Sequence, residues 1–330
     1  NRIGSDPELE GAKLIAEPWD PGPGGYQLGR FPNEWAEWND RYRDSVRRFW
    51  RGDADQDAEF ARRIHGSADL FEAGGRNPAS SINYVACHDG FTLADAVSYE
   101  KRHNRANGEN NRDGQRHNYS ANYGVEGPSD EPGINRIRRQ QRLNMLATLL
   151  FSQGTPMILG GDEFGNSQGG NNNAYAQDNE TGWVDWSGLV EDPGFTESVR
   201  TLLRLRREIP LLRQARYVHG RIPTDRGWCS IDWLHPDGRR MRAEDWNSSR
   251  QLAVVFSLRS DQKDDSPVND AVAILFNASD QPIDFMLPGG LPDDMALKFS
   301  SALQNDERIE TRCWSVSARS LLLLASEAGA

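Results

Sequence analysis

Acidic side chains follow three apolar runs of the sequence, and each of them could take part in acid–base chemistry. Glu17, Asp89 and Asp162 stand at or just after the ends of these runs. The runs are residues 13–17, 81–87 and 155–159. Short apolar runs bounded by turn residues are typical of buried strands. Because parallel strands bring their carboxyl ends to one edge of a sheet, we expect the three carboxylates to converge.

Paired carboxylates surrounded by aromatic rings are suited to glycoside hydrolysis. That reaction needs a protonated carboxylic acid for the leaving oxygen and a second carboxylate for the oxocarbenium centre. Residues 18–33 form a loop rich in Pro and Gly that also holds Trp19, Tyr26 and Phe31. Such rings suit sugars, although ordinary loop packing explains each ring equally well. Glu17 likewise has an alternative interpretation, as a strand-terminal residue in a surface ion pair.

The metal-like patterns in the sequence do not predict a metal site. Residues 109–114 resemble the start of a calcium loop, but Ser120 occupies the twelfth position, where an EF-hand needs Glu. His88 has no second histidine at ligand spacing, so a hydrogen-bonding role is expected for it. The three cysteines, Cys87, Cys229 and Cys313, lie far apart and predict neither a disulfide framework nor a metal centre. We expect no metal and no cofactor.

Composition excludes several classes of partner. The chain has 330 residues and a net charge of −11, which argues against nucleic acid and against anionic membrane surfaces. No apolar run approaches the length of a transmembrane helix. The sequence begins with Asn1 and shows no signal-peptide pattern.

Strand and helix patterns alternate up to about residue 213, and short β-like runs follow. The spacing from Glu17 to Asp89 leaves room for two strand–helix units of roughly 30 residues each, with a weak strand at residues 38–43. Between Asp89 and Asp162 we expect a single unit that contains a long Asn-rich loop at residues 100–133. Helices are predicted at residues 45–50, 58–65, 134–153 and 195–208. Later strands are predicted at residues 252–258, 271–276, 283–287 and 320–325.

Three of these segments resemble motifs of the α-amylase superfamily (glycoside hydrolase family 13). They are Leu14-Ile15-Ala16-Glu17-Pro18-Trp19-Asp20, residues 83–90 and residues 154–163. Residues 107–114, 171–179 and 235–238 are similar to the same family. The closest likeness is to its bacterial glycogen-debranching (GlgX-type) and isoamylase branch, and it covers most of the chain.

The resemblance implies roles for individual residues. Glu17 matches the general acid/base at the end of barrel strand five, and Asp89 matches the carboxylate that holds sugar hydroxyls after strand seven. His88 matches the hydrogen-bonding partner at the same sugar. Without the resemblance, the expected pair of Glu17 and Asp89 would have assigned Asp89 as the nucleophile. Further substrate contacts are expected from Trp19, Asp20, Asn171, Tyr175 and Asp178.

The resemblance also predicts an α/β fold in two parts. Residues 1–213 are expected to form the C-terminal half of a (β/α)8 TIM barrel, strands five to eight, and residues 214–330 a small antiparallel β-sandwich domain. The family's nucleophilic Asp lies on strand four, which is expected to be missing. We therefore expect this chain alone to be inactive and to need the N-terminal half of the barrel as a partner. The implied substrate is a branched α-glucan, glycogen or its limit dextrin, and the implied location is cytoplasmic.

Two other functions fit the same sequence. The chain could be a noncatalytic α-glucan-binding fragment, or part of a related amylase-superfamily transglycosidase or trehalose-releasing hydrolase. Upstream sequence encoding the missing strands would separate an enzyme segment from a binding fragment. Product analysis on branched and linear glucan would separate a hydrolase from a transferase.

Overall fold

The computed structural model describes residues 3–224, 227–247, 250–260, 268–302 and 308–326, which form helices and three β-sheets. The helices are α1 (Asp40–Arg51), α2 (Asp57–Ile64), α3 (Ala68–Phe71), α4 (Leu93–Ala96), α5 (Pro132–Phe151), α6 (Gly188–Glu191) and α7 (Pro193–Glu208). The first strands are β1 (Leu14–Ala16), β2 (Trp35–Asn39), β3 (Ser81–Asn83), β4 (Thr155–Pro156), β5 (Arg221–Thr224) and β6 (Gly227–Leu234). The later strands are β7 (Gln251–Arg259), β8 (Val268–Asn277), β9 (Ile283–Met286), β10 (Ala296–Ser300), β11 (Arg308–Glu310), β12 (Cys313–Val316) and β13 (Ser320–Ala325).

Four short strands form a parallel sheet in chain order, β1-β2-β3-β4. Ala16 of β1 lies opposite Glu37 of β2, which lies opposite Ser81 of β3. Ile82 of β3 lies opposite Thr155 of β4. A strand therefore lies between β1 and β3, as the spacing predicted, and the carboxyl ends of all four strands meet at one edge.

The parallel strands are shorter than the sequence predicts. β3 ends at Asn83 rather than Cys87. Two residues further on, the carbonyl of Val85 accepts a hydrogen bond from Arg47 Nε at 2.7 Å instead of one from a neighbouring strand. β4 has two residues, and one of them, Pro156, has no N–H to donate to a ladder.

The predicted strand at residues 38–43 is only partly correct. β2 ends at Asn39, and the chain turns at once into α1, because the Asn39 side chain accepts a hydrogen bond from Tyr42 N at 3.0 Å. Such an N-cap satisfies an amide that would otherwise lack a partner at the helix start. Gly52 ends α1 with a φ of 87°. The helix predicted at residues 45–50 begins five residues earlier, as α1. The other predicted helices correspond to α2, α5 and α7, and their ends differ from the predicted ones by at most two residues.

The remaining strands form two antiparallel sheets. The larger sheet has the order β10-β13-β8-β7-β6-β5, and the smaller has the order β11-β12-β9. The four later runs predicted from the sequence correspond to β7, β8, β9 and β13. Sequence analysis missed β5, β6, β10, β11 and β12, most of which are short and partly exposed and so carry a weak apolar signal.

β7 shows how the larger sheet is buried on both faces. Leu252, Val254 and Phe256 belong to a core that also contains side chains of α1, α5 and α7. Ala253 and Val255 belong to a second core shared with β9 and β12 of the smaller sheet. Because successive side chains of a strand point to opposite faces, the larger sheet lies between the helices and the smaller sheet.

The first core joins residues on both sides of the predicted boundary between residues 213 and 214. The domain boundary between residues 213 and 214 therefore stays a prediction. None of the helices in the described ranges combines the length and the apolar character that a bilayer-spanning segment needs.

Candidate active site

Glu17, His88 and Asp89 lie together beyond the carboxyl edge of the parallel sheet. One carboxylate oxygen of Glu17, one of Asp89 and a ring nitrogen of His88 all lie within 4.8 Å of one another. His88 Nε2 lies 3.6 Å from Asp89 Oδ1, and the two side chains are 56% and 46% exposed. Glu17 is exposed too. Two of the three carboxylates expected to converge therefore do so, at a solvent-accessible site.

Asp162, the third carboxylate, does not join this group. It is 1% exposed, and its Oδ1 accepts a hydrogen bond from Leu93 N at 2.9 Å in the first turn of α4. Burial raises the pKa of Asp162 to about 7. The expectation that it converges with Glu17 and Asp89 is wrong, because its carboxylate points into the interior. It supports α4 instead.

Trp38 of β2 fills the space between the two strands that carry the group. Its ring centroid lies 5.6 Å from that of His88 in an edge-on arrangement and 5.7 Å from that of Tyr84. Neighbouring strands are about 4.8 Å apart, so β1 and β3 are too distant for their own ends to touch. The turn after β3 crosses over β2 beside Trp38 and brings Asp89 to Glu17.

Arg47 of α1 supports that turn through hydrogen bonds to its backbone. Its side chain is buried, at 2% exposed, and donates hydrogen bonds to the carbonyls of Val85 at 2.7 Å and Phe91 at 3.0 Å. A third hydrogen bond, of 2.9 Å, reaches the carbonyl of Asn118. Two of the three acceptors flank residues 86–90. A single guanidinium therefore fixes both ends of the segment that presents His88 and Asp89.

A buried ion pair anchors the loop of residues 18–33. Glu37 of β2 is fully buried and pairs with Arg76. The same carboxylate accepts hydrogen bonds from Gly29 N at 2.7 Å and Phe31 N at 3.3 Å. A buried charge is costly unless it is paired and hydrogen-bonded. Arg76 pairs with Glu37, and the two backbone hydrogen bonds hold the end of the loop against β2.

Trp19 and Asp20 follow Glu17 directly. Trp19 is half-buried, and its N–H donates to the Glu17 carbonyl at 3.0 Å. Asp20 is exposed, and its Oδ1 accepts a hydrogen bond from Gly22 N at 2.7 Å. Both residues therefore belong to the turn that carries Glu17.

Asn171, a predicted sugar contact, lies inside a network of asparagines. It is 2% exposed, its Nδ2 donates to Asn107 Oδ1 at 2.8 Å, and its Oδ1 accepts from Asn173 N at 2.9 Å. Its amide is thus occupied by loop residues. This placement suits a residue that holds the loop in shape.

The same network connects both Asn-rich loops to the turn that carries His88 and Asp89. Asn104 Nδ2 donates to Asn172 Oδ1 at 2.8 Å, which joins the loop after β3 to the loop after β4. Gly90 N donates to the Asn172 carbonyl at 3.0 Å. Both loops are therefore tied to the residue that follows Asp89.

Tyr175 and Asp178 lie on the outer side of the second loop. Tyr175 is 86% exposed. Asp178 is exposed and accepts a hydrogen bond from Trp183 Nε1 at 3.0 Å. Neither belongs to the group formed by Glu17, His88 and Asp89, and both present groups to solvent.

Sequence analysis missed the supporting roles of Trp38, Arg47 and Asn172. For Arg47 a signal existed, since it lies beside Val46 on the apolar face of α1, where an arginine is unexpected. The repeated asparagines at residues 171–173 were a second signal, because short amides in adjacent loops often bond to each other's backbone.

Comparison with known proteins shows which proteins this chain is similar to. The glycogen operon protein GlgX homolog of Mycobacterium bovis is 44% identical over 337 residues, which cover 98% of this chain and 46% of that protein. The glycogen debranching enzyme of Serratia proteamaculans is 43% identical over 325 residues, which cover 98% of this chain and 45% of that enzyme. Over 98% of its length, this chain is therefore similar to bacterial proteins named as glycogen debranching enzymes or GlgX homologs. No family model matches it.

Solved structures show a similar fold. The pullulanase of Paenibacillus barengoltzii, solved in complex with maltohexaose and α-cyclodextrin, superposes with a TM-score of 0.63 at 21% identity. The superposition covers 95% of this chain and 43% of the pullulanase. The chain thus spans a little under half the length of the relatives that it matches.

Proposed function

We propose that this chain supplies the general acid/base and the hydroxyl-binding groups of a glycoside hydrolase that acts on branched α-glucans. The observation that carries the proposal is the group of Glu17, His88 and Asp89, whose polar atoms lie within 4.8 Å of one another. The debranching enzymes among the relatives support the choice of substrate.

In this proposal the two carboxylates have different tasks. Glu17 protonates the glycosidic oxygen as the bond breaks and then removes a proton from the attacking water. Asp89 accepts hydrogen bonds from sugar hydroxyls, and its charge stabilises the oxocarbenium-like transition state. His88 donates to the same sugar. Distance alone would also suit Asp89 as a nucleophile, and it is the motif resemblance that assigns it to hydroxyl binding.

The neighbouring loops would supply further contacts to the glucan. Trp19 and Asp20 belong to the turn at Glu17, and the exposed Tyr175 and Asp178 would extend the cleft. Asn171 is assigned the task of shaping its loop, because its amide groups are already bonded.

The four-stranded sheet is proposed to be strands five to eight of a (β/α)8 barrel, with an antiparallel β-sandwich after residue 213. Two features support this. β1 and β4 are the edges of the parallel sheet, and a barrel has no edges. Ile15 of β1 is 49% exposed, although an apolar strand residue normally packs against another layer. The N-terminal half of a barrel would pair with the two edge strands and cover the Ile15 side chain.

The nucleophile is proposed to come from the part of the relatives that this chain does not match. A retaining mechanism needs an acid and a nucleophile on opposite sides of the bond. Within the described residues, the group at Glu17 contains Asp89 and His88 and no further carboxylate. We expect the 330-residue chain alone to give no hydrolysis of glycogen limit dextrin that depends on Glu17. Such hydrolysis would contradict the proposal.

A fusion protein tests the specificity. In it, the N-terminal half of the Serratia proteamaculans relative precedes this chain. Debranching predicts release of linear chains from glycogen limit dextrin with amylose left intact, as measured by chain-length analysis. Rapid depolymerisation of amylose would favour an ordinary amylase, and transfer products would favour a transglycosidase. A cytoplasmic location goes with this proposal and stays a prediction.

A further inference from the structure

An open cavity of about 640 Å³ lies beside the first half of α5, and the loops that follow β3 and β4 form part of its wall. Its lining residues lie between positions 94 and 192 and include none of Glu17, His88 and Asp89. Its walls contain four arginines, Arg136, Arg138, Arg139 and Arg142, and two carboxylates, Glu191 and Asp192. In a chain with a net charge of −11, this local excess of positive charge is unusual.

Two of the arginines already have partners. Arg138 donates to the carbonyls of Gly127 and Asn122, both at 2.7 Å. Arg139 pairs with Asp192 through hydrogen bonds of 2.7 Å and 3.3 Å. The charge of Asp192 is therefore matched by Arg139. The carbonyls do not neutralise Arg138, so the wall keeps the positive charges of Arg136, Arg138 and Arg142, with Glu191 as its other carboxylate.

Arg142 has cation–π contact but no acceptor. Its guanidinium lies 4.4 Å from the ring centroid of Phe195, and it makes no hydrogen bond or ion pair with any described residue. Burial lowers the pKa of Arg142 to about 10, so it stays charged at neutral pH. A guanidinium carries five N–H donors, and Arg142 is partly exposed in the wall of the cavity. Those donors are available to a molecule in the cavity.

The loop after β4 leaves room for this guanidinium. Gly165 has a φ of +89°, and a Cβ placed there would lie 2.2 Å from Arg142 Nη1. Any other residue at position 165 would displace the arginine head group and strain the backbone. The backbone of the cavity wall is therefore compatible with the observed position of Arg142.

We propose that this cavity binds a phosphate monoester carried by a sugar. Arg142 and Arg136 face the dianion, which a planar guanidinium can bind through paired hydrogen bonds. Ser98 and Asn135 add neutral polar groups to the wall that suit sugar hydroxyls. The volume falls within the range of small-molecule sites. The phosphate could belong to a free hexose phosphate or to an esterified glucan chain, and the chemistry of recognition is the same.

Binding to the purified 330-residue chain tests the proposal without any need for catalysis. Isothermal titration with glucose 6-phosphate should give saturable binding that weakens as salt rises, whereas glucose should not bind. Arg142→Met and Arg136→Met should each weaken binding roughly tenfold, which matches the loss of a charge-assisted hydrogen bond. Arg200→Met is the matched control, since Arg200 is exposed on α7 and pairs with Glu197 away from the cavity.

The outcomes separate the possible ligands. Binding of glucose 6-phosphate but not of phosphorylated maltooligosaccharide assigns the site to a free sugar phosphate, and the reverse result assigns it to a glucan-borne phosphate. Equal binding by the chain and by Arg136→Met and Arg142→Met would overturn the proposal, and so would the failure of both probes to bind saturably. If Arg142→Met does not fold, the exposed Arg136→Met decides alone.

Discussion

The carboxylates of Glu17 and Asp89 come within 4.8 Å of each other although they follow strands that are not neighbours. β2 separates β1 from β3, and the contact is made by the turn after β3, which passes beside Trp38. The position of Asp89 therefore depends on how that turn is held. Arg47 and the Gly90–Asn172 hydrogen bond hold it from two sides.

Glu17→Gln should abolish most of the activity of the fusion protein. The amide keeps the shape of the side chain and removes the proton that the leaving oxygen needs. Because general acid–base catalysis typically contributes about 10²–10⁴-fold, we expect kcat on glycogen limit dextrin to fall by that factor, measured as new reducing ends. Glu34→Gln, at an exposed glutamate before β2, is the control and should retain the parent rate. A parent rate in Glu17→Gln would show that the assignment is wrong.

Arg47→Met should loosen the turn that carries Asp89. The variant leaves the carbonyls of Val85, Phe91 and Asn118 without their donor, and each such loss costs about 1–3 kcal/mol. We expect the free energy of unfolding to fall by about 3 kcal/mol in urea denaturation. Amide hydrogen exchange at residues 84–92 should become faster.

Arg47→Lys keeps the charge and can restore part of these contacts, so its stability should lie between those of the parent and Arg47→Met. Arg200→Met, at an exposed site, should change stability by less than about 0.5 kcal/mol. Unchanged exchange at residues 84–92 in Arg47→Met would argue against a positioning role.

Maltooligosaccharide should slow hydrogen exchange in the two Asn-rich loops of the fusion protein, at residues 104–123 and 171–178. Both loops follow the carboxyl ends of parallel strands, and both connect to Gly90 through Asn172. Residues 197–204, about two turns of α7, serve as an internal reference, and their hydrogen exchange should not change when the sugar binds. Unchanged exchange in both loops at saturating sugar would show that they do not border the glucan.

Asp162→Asn should change how stability depends on pH. Burial raises the folded-state pKa of Asp162 to about 7, against about 3.9 in an unfolded chain. The folded state therefore holds a proton that the unfolded state has lost, and this contribution to stability disappears as the pH rises through 7. Asparagine keeps an acceptor for Leu93 N and does not titrate.

Between pH 5 and pH 8, the parent should lose about 3 kcal/mol relative to Asp162→Asn. Urea denaturation across that range measures the difference. Asp178→Asn, at an exposed carboxylate, is the control. If the parent and Asp162→Asn show parallel pH profiles, Asp162 keeps the same charge in both states.

Local signals in the sequence were enough for the main elements that surround the site. The apolar run before Glu17 predicted β1, and the spacing to Asp89 predicted an intervening strand. The periodic leucines of α5 and the Gly and Pro that follow them predicted that helix to within two residues. These features arise from interactions between residues that are close along the chain, so a short stretch of sequence is enough to predict them.

Other features depended on contacts between distant segments. Residues 84–87 look like a continuation of β3, but Arg47, supplied by α1, takes the carbonyl of Val85. Asn171 looks like an exposed sugar ligand, but the loop after β3 buries it. No local pattern encodes either contact, because each partner lies tens of residues away.

The order of residues along the chain was enough to show which carboxylates follow apolar runs and which motifs resemble those of the α-amylase superfamily. Which of these carboxylates meet depends on packing between distant segments. Asp89 reaches Glu17 across β2, whereas Asp162 turns inward to bond Leu93 N. The physical reason is that a backbone turn and its buried hydrogen bonds set the direction of a side chain, and their donors come from elements far along the chain.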